Sequence, residues 1–131
     1  MRAELWPTSP HEHAREIARF FDGQLRNPLA VLIAHDRNGH ILGFNELSIR
    51  PYAEGCTTDR VGYLEGWYVI PEARGRGIGR ALVTAAEDWA RSQGCSEFAS
   101  DAQPDNDDSI AAHLALGFVD RGLIHCFSKR L

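Results

Sequence analysis

Residues 74–80 read Arg-Gly-Arg-Gly-Ile-Gly-Arg. They follow an apolar, strand-like run and open a helical pattern. A segment of this kind is equipped to hold an anion. Glycine lets the backbone adopt φ > 0 and approach a phosphate closely. The first N–H groups of a helix lack intrahelical partners and, with the helix dipole, form an anion site. Arginine adds charge and paired donors for phosphate oxygens. No Gly-Lys-Ser/Thr follows, so this is not a Walker A loop, and the glycine spacing is not GxGxxG. On the glycines alone, an ordinary turn beside a solvated basic patch reads equally well.

The acidic residues are distributed differently. Between Arg91 and Arg121 there is no Lys or Arg, while Glu97, Asp101, Asp105, Asp107, Asp108 and Asp120 fall in that stretch. Glu54, Asp59 and Glu65 add to them from residues 51–65. One part of the chain is thus suited to an anion and another to a cation. Asp107 and Asp108 have a plainer reading as acids in the first turn of a helix. Glu65 interrupts an apolar strand, and Asp101 ends one after Phe98-Ala99-Ser100. Both are candidates to contact or deprotonate an amine, and both could instead be structural carboxylates. His113 can donate a proton or a hydrogen bond near neutral pH, or be a packing histidine. The other histidines show no partner pattern.

These residues need elements to position them. Ser9-Pro10 and the apolar spacing of Ala14, Ile17, Ala18 and Phe21 predict a first helix over His11–Phe21. Leu29–His35 reads as a buried strand, Asp36-Arg37-Asn38-Gly39 as a tight turn, and His40–Arg50 as the partner strand. After a loop over 51–60, Tyr63–Ile70 is a third strand, stopped by Pro71. Ile78, Ala81, Leu82, Ala85 and Trp89 mark an amphipathic helix from about Gly77 to Ser92, ended by Gly94. Ser96–Ser100 is a short strand, Asp107–Leu116 a helix closed at Gly117, and 118–130 a final hairpin around Arg121-Gly122. This alternation predicts an α/β or α+β fold with a mixed sheet.

The chain has 131 residues, 44% of them hydrophobic. That suits one domain over 1–131, since domains commonly run ~100–150 residues. A net charge of −4 argues against nucleic acid as a partner. No apolar stretch approaches a membrane span, and the N-terminus has no apolar signal core. Cys56, Cys95 and Cys126, odd in number and widely spaced, form no disulfide framework and suggest no metal site. The expectation is a soluble, cytoplasmic protein without a metal.

The whole segment Val69–Val83, VIPEARGRGIGRALV, resembles the acetyl-CoA loop of the GNAT superfamily of N-acetyltransferases, roughly Gln/Arg-x-x-Gly-x-Gly/Ala. The likeness runs further. Leu5-Trp6-Pro7, Gly43-Phe44, Ile49-Arg50, Tyr52, Gly55-Cys56, Leu64 to Val69, Gly94-Cys95, Ala99-Ser100-Asp101, Pro104, Asn106, His113 and Ala115-Leu116-Gly117-Phe118 together resemble the aminoglycoside 6'-N-acetyltransferases. The match covers nearly the whole chain in order.

The resemblance implies a single GNAT-like domain with a central mixed, mostly antiparallel sheet flanked by helices. It implies acetyl-CoA as cosubstrate, held by Trp67, Tyr68, Val69, Arg74, Gly75, Arg76, Gly77, Ile78, Gly79, Arg80 and Asn106. Trp6, Tyr52, Glu65 and Asp101 would line the aminoglycoside site, and the acetyl group would pass to the 6'-amine. Glu65 or Asp101 would serve as base. His113 takes the place of a tyrosine that many members set near the thioester sulfur. Family members begin with a strand and the start of a helix before Leu-Trp-Pro, and this chain lacks them. An acidic residue the family can use near the final hairpin is Gly122 here. The open sheet edge and the family's habit predict a homodimer, with 118–130 contributing. Two rivals remain: a GNAT enzyme for another small amine or peptide amine, and a non-catalytic CoA-binding module.

Overall fold

The structure, a computed structural model, describes residues 29–131. The expected first helix and Trp6 lie outside the described residues. Two compact units divide the chain, Met1–Ser100 and Asp101–Leu131.

The first unit holds a four-stranded sheet in the order β1-β2-β3-β4. Strand β1 (Ala30–His35) pairs antiparallel with β2 (Ile41–Arg50), and β2 antiparallel with β3 (Val61–Val69). Strand β4 (Glu97–Ser100) joins β3 in parallel. The mixed, mostly antiparallel sheet is as expected. Two antiparallel partners need only a tight connection. Here Asp36 supplies it: its Oδ1 accepts from the N–H groups of Asn38 and His40 at 2.8 and 2.9 Å. The parallel β4 requires a crossover, and helix α1 (Ile78–Ser92) provides it.

The core lies between α1 and the sheet. Leu82, Val83, Ala86 and Ala90 are buried from the helix, over the face of the sheet that carries Gly43, Asn45 and Gly62, while Val61 packs in a separate cluster with Ala53 and Tyr63. The apolar spacing had pointed to Ile78, Ala81, Leu82, Ala85 and Trp89. Leu82 is on the buried face, but Ala81 and Ala85 are exposed. Alanine weights a helical face weakly, so the larger Leu82 and Val83 decide which stripe turns inward. Beneath that stripe β2 is buried from Gly43 to Ser48, including the polar Asn45, Glu46 and Ser48. Asn45 ties helix to sheet, its Nδ2 donating to the Leu82 carbonyl at 2.9 Å.

The second unit contains helix α2 (Asp107–Ala115), capped by Asn106, whose Oδ1 accepts from the Ser109 N–H at 3.1 Å. Beyond it the expected final hairpin is absent. The Gly122 N–H bonds to Asp120 Oδ1 at 2.8 Å, but residues 118–131 carry neither a strand nor a turn. Val119, Leu123, Ile124 and Phe127 are all exposed, Phe127 at 92%. Two short strands alone are marginal in water without a third strand or an apolar surface to cover them.

Candidate active site

Three structures within the first unit make up its chemistry. The first is the turn from β3 into α1. After a short 3-10 turn over Pro71–Ala73, Arg74 reaches back: its Nε donates to the Val69 carbonyl at 2.8 Å, and its guanidinium carbon lies 5.4 Å from the Tyr68 ring centre. Gly75 and Gly77 then take φ of +76° and +83°, and a Cβ on either would meet nothing within 4 Å. Glycine is required at both by conformation, not by crowding. Gly79 differs. It is helical, and a Cβ there would come within 3.0 Å of the Trp67 indole, so the start of α1 is seated on Trp67. No side chain caps that start, and its first turn carries no acid. The N–H groups of Ile78, Gly79 and Arg80 lack intrahelical acceptors, with Arg76 and Arg80 exposed nearby. An uncapped helix end opening on unfilled space fits a phosphate group.

The second structure is a β-bulge. Glu46 pairs with Gly66 and Leu47 with Leu64, so Glu65 stands opposite no residue of β2. A bulge turns the strand and re-aims a side chain. On the other edge, pairing of β3 with β4 ends at Leu64 and Ser100. Beyond that point, among the described residues, β3 pairs only with β2. The Ile70 N–H bonds to the Leu42 carbonyl at 2.9 Å. Alternate residues of a strand point their backbone groups to opposite sides, so Trp67 and Val69 direct theirs away from β2. Tyr68 turns its backbone groups towards β2 and offers its ring instead.

Glu65 itself is firmly held. Arg50 Nε donates to Oε1 at 2.9 Å and Nη2 to Oε2 at 2.6 Å, while the Ser48 hydroxyl also donates to Oε1. Sequence reasoning found Glu65 but not its holders. A signal existed: Ser48 and Arg50 are polar at a spacing of two, on one face of a mostly apolar strand.

The third structure is the loop over 51–60, which carries Tyr52, 63% exposed. A hydrogen bond to Glu54, then the charge of Glu54, pushes the Tyr52 phenol up. The loop is fastened to β4 by Glu97, which accepts from the N–H groups of Thr57 and Thr58 at 3.0 and 2.7 Å and from the Thr58 hydroxyl at 2.6 Å. The Thr58 hydroxyl bond and then the Thr58 N–H hold the Glu97 carboxyl below the usual glutamate value. No sequence pattern pointed to this latch, whose partners are about forty residues apart in the chain.

In the second unit, Asp101 is exposed and Asn106 is the helix cap described above. His113 is half-buried. Its Nδ1 lies 2.7 Å from the Ser109 carbonyl, and its ring meets the Phe118 ring edge-on at 5.1 Å. A carbonyl only accepts, so Nδ1 carries the proton and Nε2 of the neutral ring is an acceptor. Donation from Nε2 therefore requires the imidazolium. Among the described residues, no group of three His, Cys, Asp or Glu is placed to hold a metal ion.

The acetyltransferase (GNAT) family model matches residues 1–118. The chain is 56% identical to the aminoglycoside N(6')-acetyltransferase type 1 of Klebsiella aerogenes, over 100% of this chain and 87% of that one. The structure of AAC(6')-Iy in complex with the bisubstrate analogue CoA-S-monomethyl-acetylneamine superposes with a TM-score of 0.89 at 34% identity, over 100% of this chain and 88% of that one. The aminoglycoside 6'-N-acetyltransferase AAC(6')-IG of Acinetobacter haemolyticus gives 0.87 at 36% identity, over 99% and 88%. A family model spanning nearly the whole chain and relatives matched along their length agree with the uncapped glycine-arginine turn and the bulged strand: the chain belongs to the acetyltransferase (GNAT) family, among its aminoglycoside 6'-N-acetyltransferases.

Proposed function

We propose that this protein transfers the acetyl group of acetyl-CoA to the 6'-amino group of aminoglycoside antibiotics and so confers resistance to them. The observation that carries the reading is the junction of β3 and α1: an uncapped helix start and two open left-handed glycines directly follow the stretch of β3 that has lost its β4 partner. The likeness to the Klebsiella aerogenes enzyme supports the choice of acceptor.

Acetyl-CoA, when bound, supplies the acetyl group as a thioester. The amides of Ile78, Gly79 and Arg80, with Gly75, Gly77, Arg74 and Arg76, bind its pyrophosphate. Trp67 and Val69 orient the pantetheine arm with backbone groups, flanked by the Tyr68 ring, and one strand amide polarises the thioester carbonyl. Asn106 contributes on the cofactor side. On the acceptor side, Trp6, Tyr52, Glu65 and Asp101 bind the cation. Glu65 or Asp101 takes the amine proton, directly or through water. His113 orients or protonates the departing sulfur.

The whole of 1–131 acts as one catalytic domain in the cytoplasm, as a homodimer. Support for the dimer lies in residues 118–131, whose exposed Val119, Leu123, Ile124 and Phe127 need an apolar cover. Among the described residues no helix is long and apolar enough to cross a membrane.

The deciding experiment is an acetylation assay on kanamycin- and tobramycin-type compounds, with CoA release followed and the product position mapped. The 6'-amide is expected. Turnover of other amines only would move the enzyme to another acceptor class. Tight acetyl-CoA binding with no turnover on any amine would make it a binding module.

A further inference from the structure

Arg50 ends β2 and pairs across the sheet with Val61, yet its side chain runs to the bulge at Glu65. Its guanidinium carbon sits 3.5 Å from the centre of the Tyr63 ring. The fork is thus supported on its face by an aromatic ring and at its tip by a carboxylate. The side chains are partly shielded, Arg50 being 41% exposed and Glu65 23%. Ser48, fully buried, braces Oε1 from the same strand.

An ionised carboxylate offers about four lone-pair directions. Two on Oε1 are taken, by Ser48 and by Arg50 Nε, and one on Oε2 by Arg50 Nη2. A single direction remains, on Oε2. Bidentate pairing also fixes the plane of the carboxylate, so that direction does not swing with side-chain rotation. Arg50 offsets the charge of Glu65 as well. What this carboxylate contributes to an amine is therefore aim more than attraction.

We propose that Arg50 is a positioning residue for the acceptor: together with Ser48 it locks Glu65 so that one Oε2 lone pair faces the acceptor amine. This rests on the reading of Glu65 as an acceptor contact. Lysine cannot replace Arg50, because a point charge lacks the two-pronged fork.

The test is a double-mutant cycle in the full chain, read as steady-state acetylation of a 6'-amino aminoglycoside, or of whichever amine the parent acetylates. Arg50→Met and Arg50→Lys should each lower kcat/KM for the acceptor on the order of ten- to a hundredfold, with the KM for acetyl-CoA unchanged. Arg50→Met combined with Glu65→Gln should lose no more than Glu65→Gln alone, because Arg50 acts only through Glu65. If Arg50→Met does not fold, the Arg50→Lys and Glu65→Gln cycle replaces it. Losses that multiply, or full activity in Arg50→Lys, would overturn the proposal while leaving the acetyltransferase reading intact. A parent that acetylates no amine overturns both.

Discussion

The glycine-arginine turn follows the end of β3, the Glu65 cluster gathers at the middle of that strand, and the two are built by opposite means. The turn is local: seven consecutive residues, 74–80, contain its glycines, its arginines and its helix start. The cluster is assembled from Ser48 and Arg50 on one strand and Tyr63 and Glu65 on another, brought together by a register shift. The turn leaves its donors open, whereas the cluster fills most of its own hydrogen-bonding capacity. A site for a fixed, doubly charged phosphate group can afford open amides, because the ligand's charge is constant. A site for an amine that must lose its proton gains more from a carboxylate held in one orientation.

The sharpest way to break this comparison is charge reversal in the turn. Gly77→Asp should abolish the stabilisation by acetyl-CoA. The space around Gly77 is open, and Asp and Asn tolerate the left-handed region better than other residues, so the variant should fold. Its charge would face the phosphates. With acetyl-CoA about a hundredfold above Kd, the parent should gain about 2.7 kcal/mol, read as a rise in Tm, and the variant almost none. Gly77→Asn, of like shape without the charge, should keep most of the gain. Equal loss in both variants would mean that shape, not charge, governs the turn.

Next in size are the two carboxylates proposed to meet the acceptor. Glu65→Gln and Asp101→Asn should each lower turnover on a 6'-amino aminoglycoside and leave acetyl-CoA binding intact. Removing one partner from a partly buried charge contact costs on the order of 2–5 kcal/mol, the scale expected at half-buried Glu65, and the exposed Asp101 should lose less. The two should differ in kind. A binder raises KM, and a residue that takes the proton lowers kcat and shifts its pH profile. Unchanged kinetics in both would make these carboxylates structural.

The glycines of the turn offer a finer test. At Gly79 the obstacle is the Trp67 indole. Substitution by Val or Leu should therefore destabilise by about 1–3 kcal/mol, rising with side-chain size. At Gly75 any Cβ meets open space but a left-handed backbone, and Gly75→Ala should cost about 1–2 kcal/mol, with little further rise for larger side chains. Thermal unfolding of the two series separates crowding from conformation.

The same contrast explains what could be read from sequence. The turn was legible because its information is contiguous and its residue types are restrictive. The strands, α1 and α2 were legible for the same reason. At 118–130 the sequence predicts a hairpin around Arg121-Gly122 that does not form, because a hairpin also needs a surface to lie on, which no local pattern contains. Glu65 could be found as a carboxylate out of place in an apolar strand. Its restraint by Arg50 left only a partial signal, the polar spacing of Ser48 and Arg50, because a one-residue register shift between β2 and β3 sets the contact, and register belongs to the pairing of two strands. The Glu97 latch was hidden for the same reason, since backbone donors leave no mark on residue type.

That latch gives the smallest expected effect, and one with a definite sign. Its Thr57 and Thr58 bonds, with the Thr58 hydroxyl first among them, hold the Glu97 carboxyl below its ordinary value of 4.5. A carboxylate depressed on folding adds stability that is fully present above the unfolded pKa. It is lost as pH falls through the folded one. Glu97→Gln lacks this contribution at every pH. The parent should therefore unfold at a higher Tm than Glu97→Gln near neutral pH, and the gap should close on acidification below about 4.5. Asp36 is also held low, chiefly by the His40 N–H, but it acts in both proteins and cancels from the difference. The hydrogen bonds are exposed to solvent, so added salt should narrow the gap at neutral pH as well. Because the latch fastens the loop that carries Tyr52, the variant should also raise KM for the acceptor and leave that for acetyl-CoA unchanged. A gap in Tm that persists at low pH would assign the loop's anchorage to packing rather than to the carboxylate.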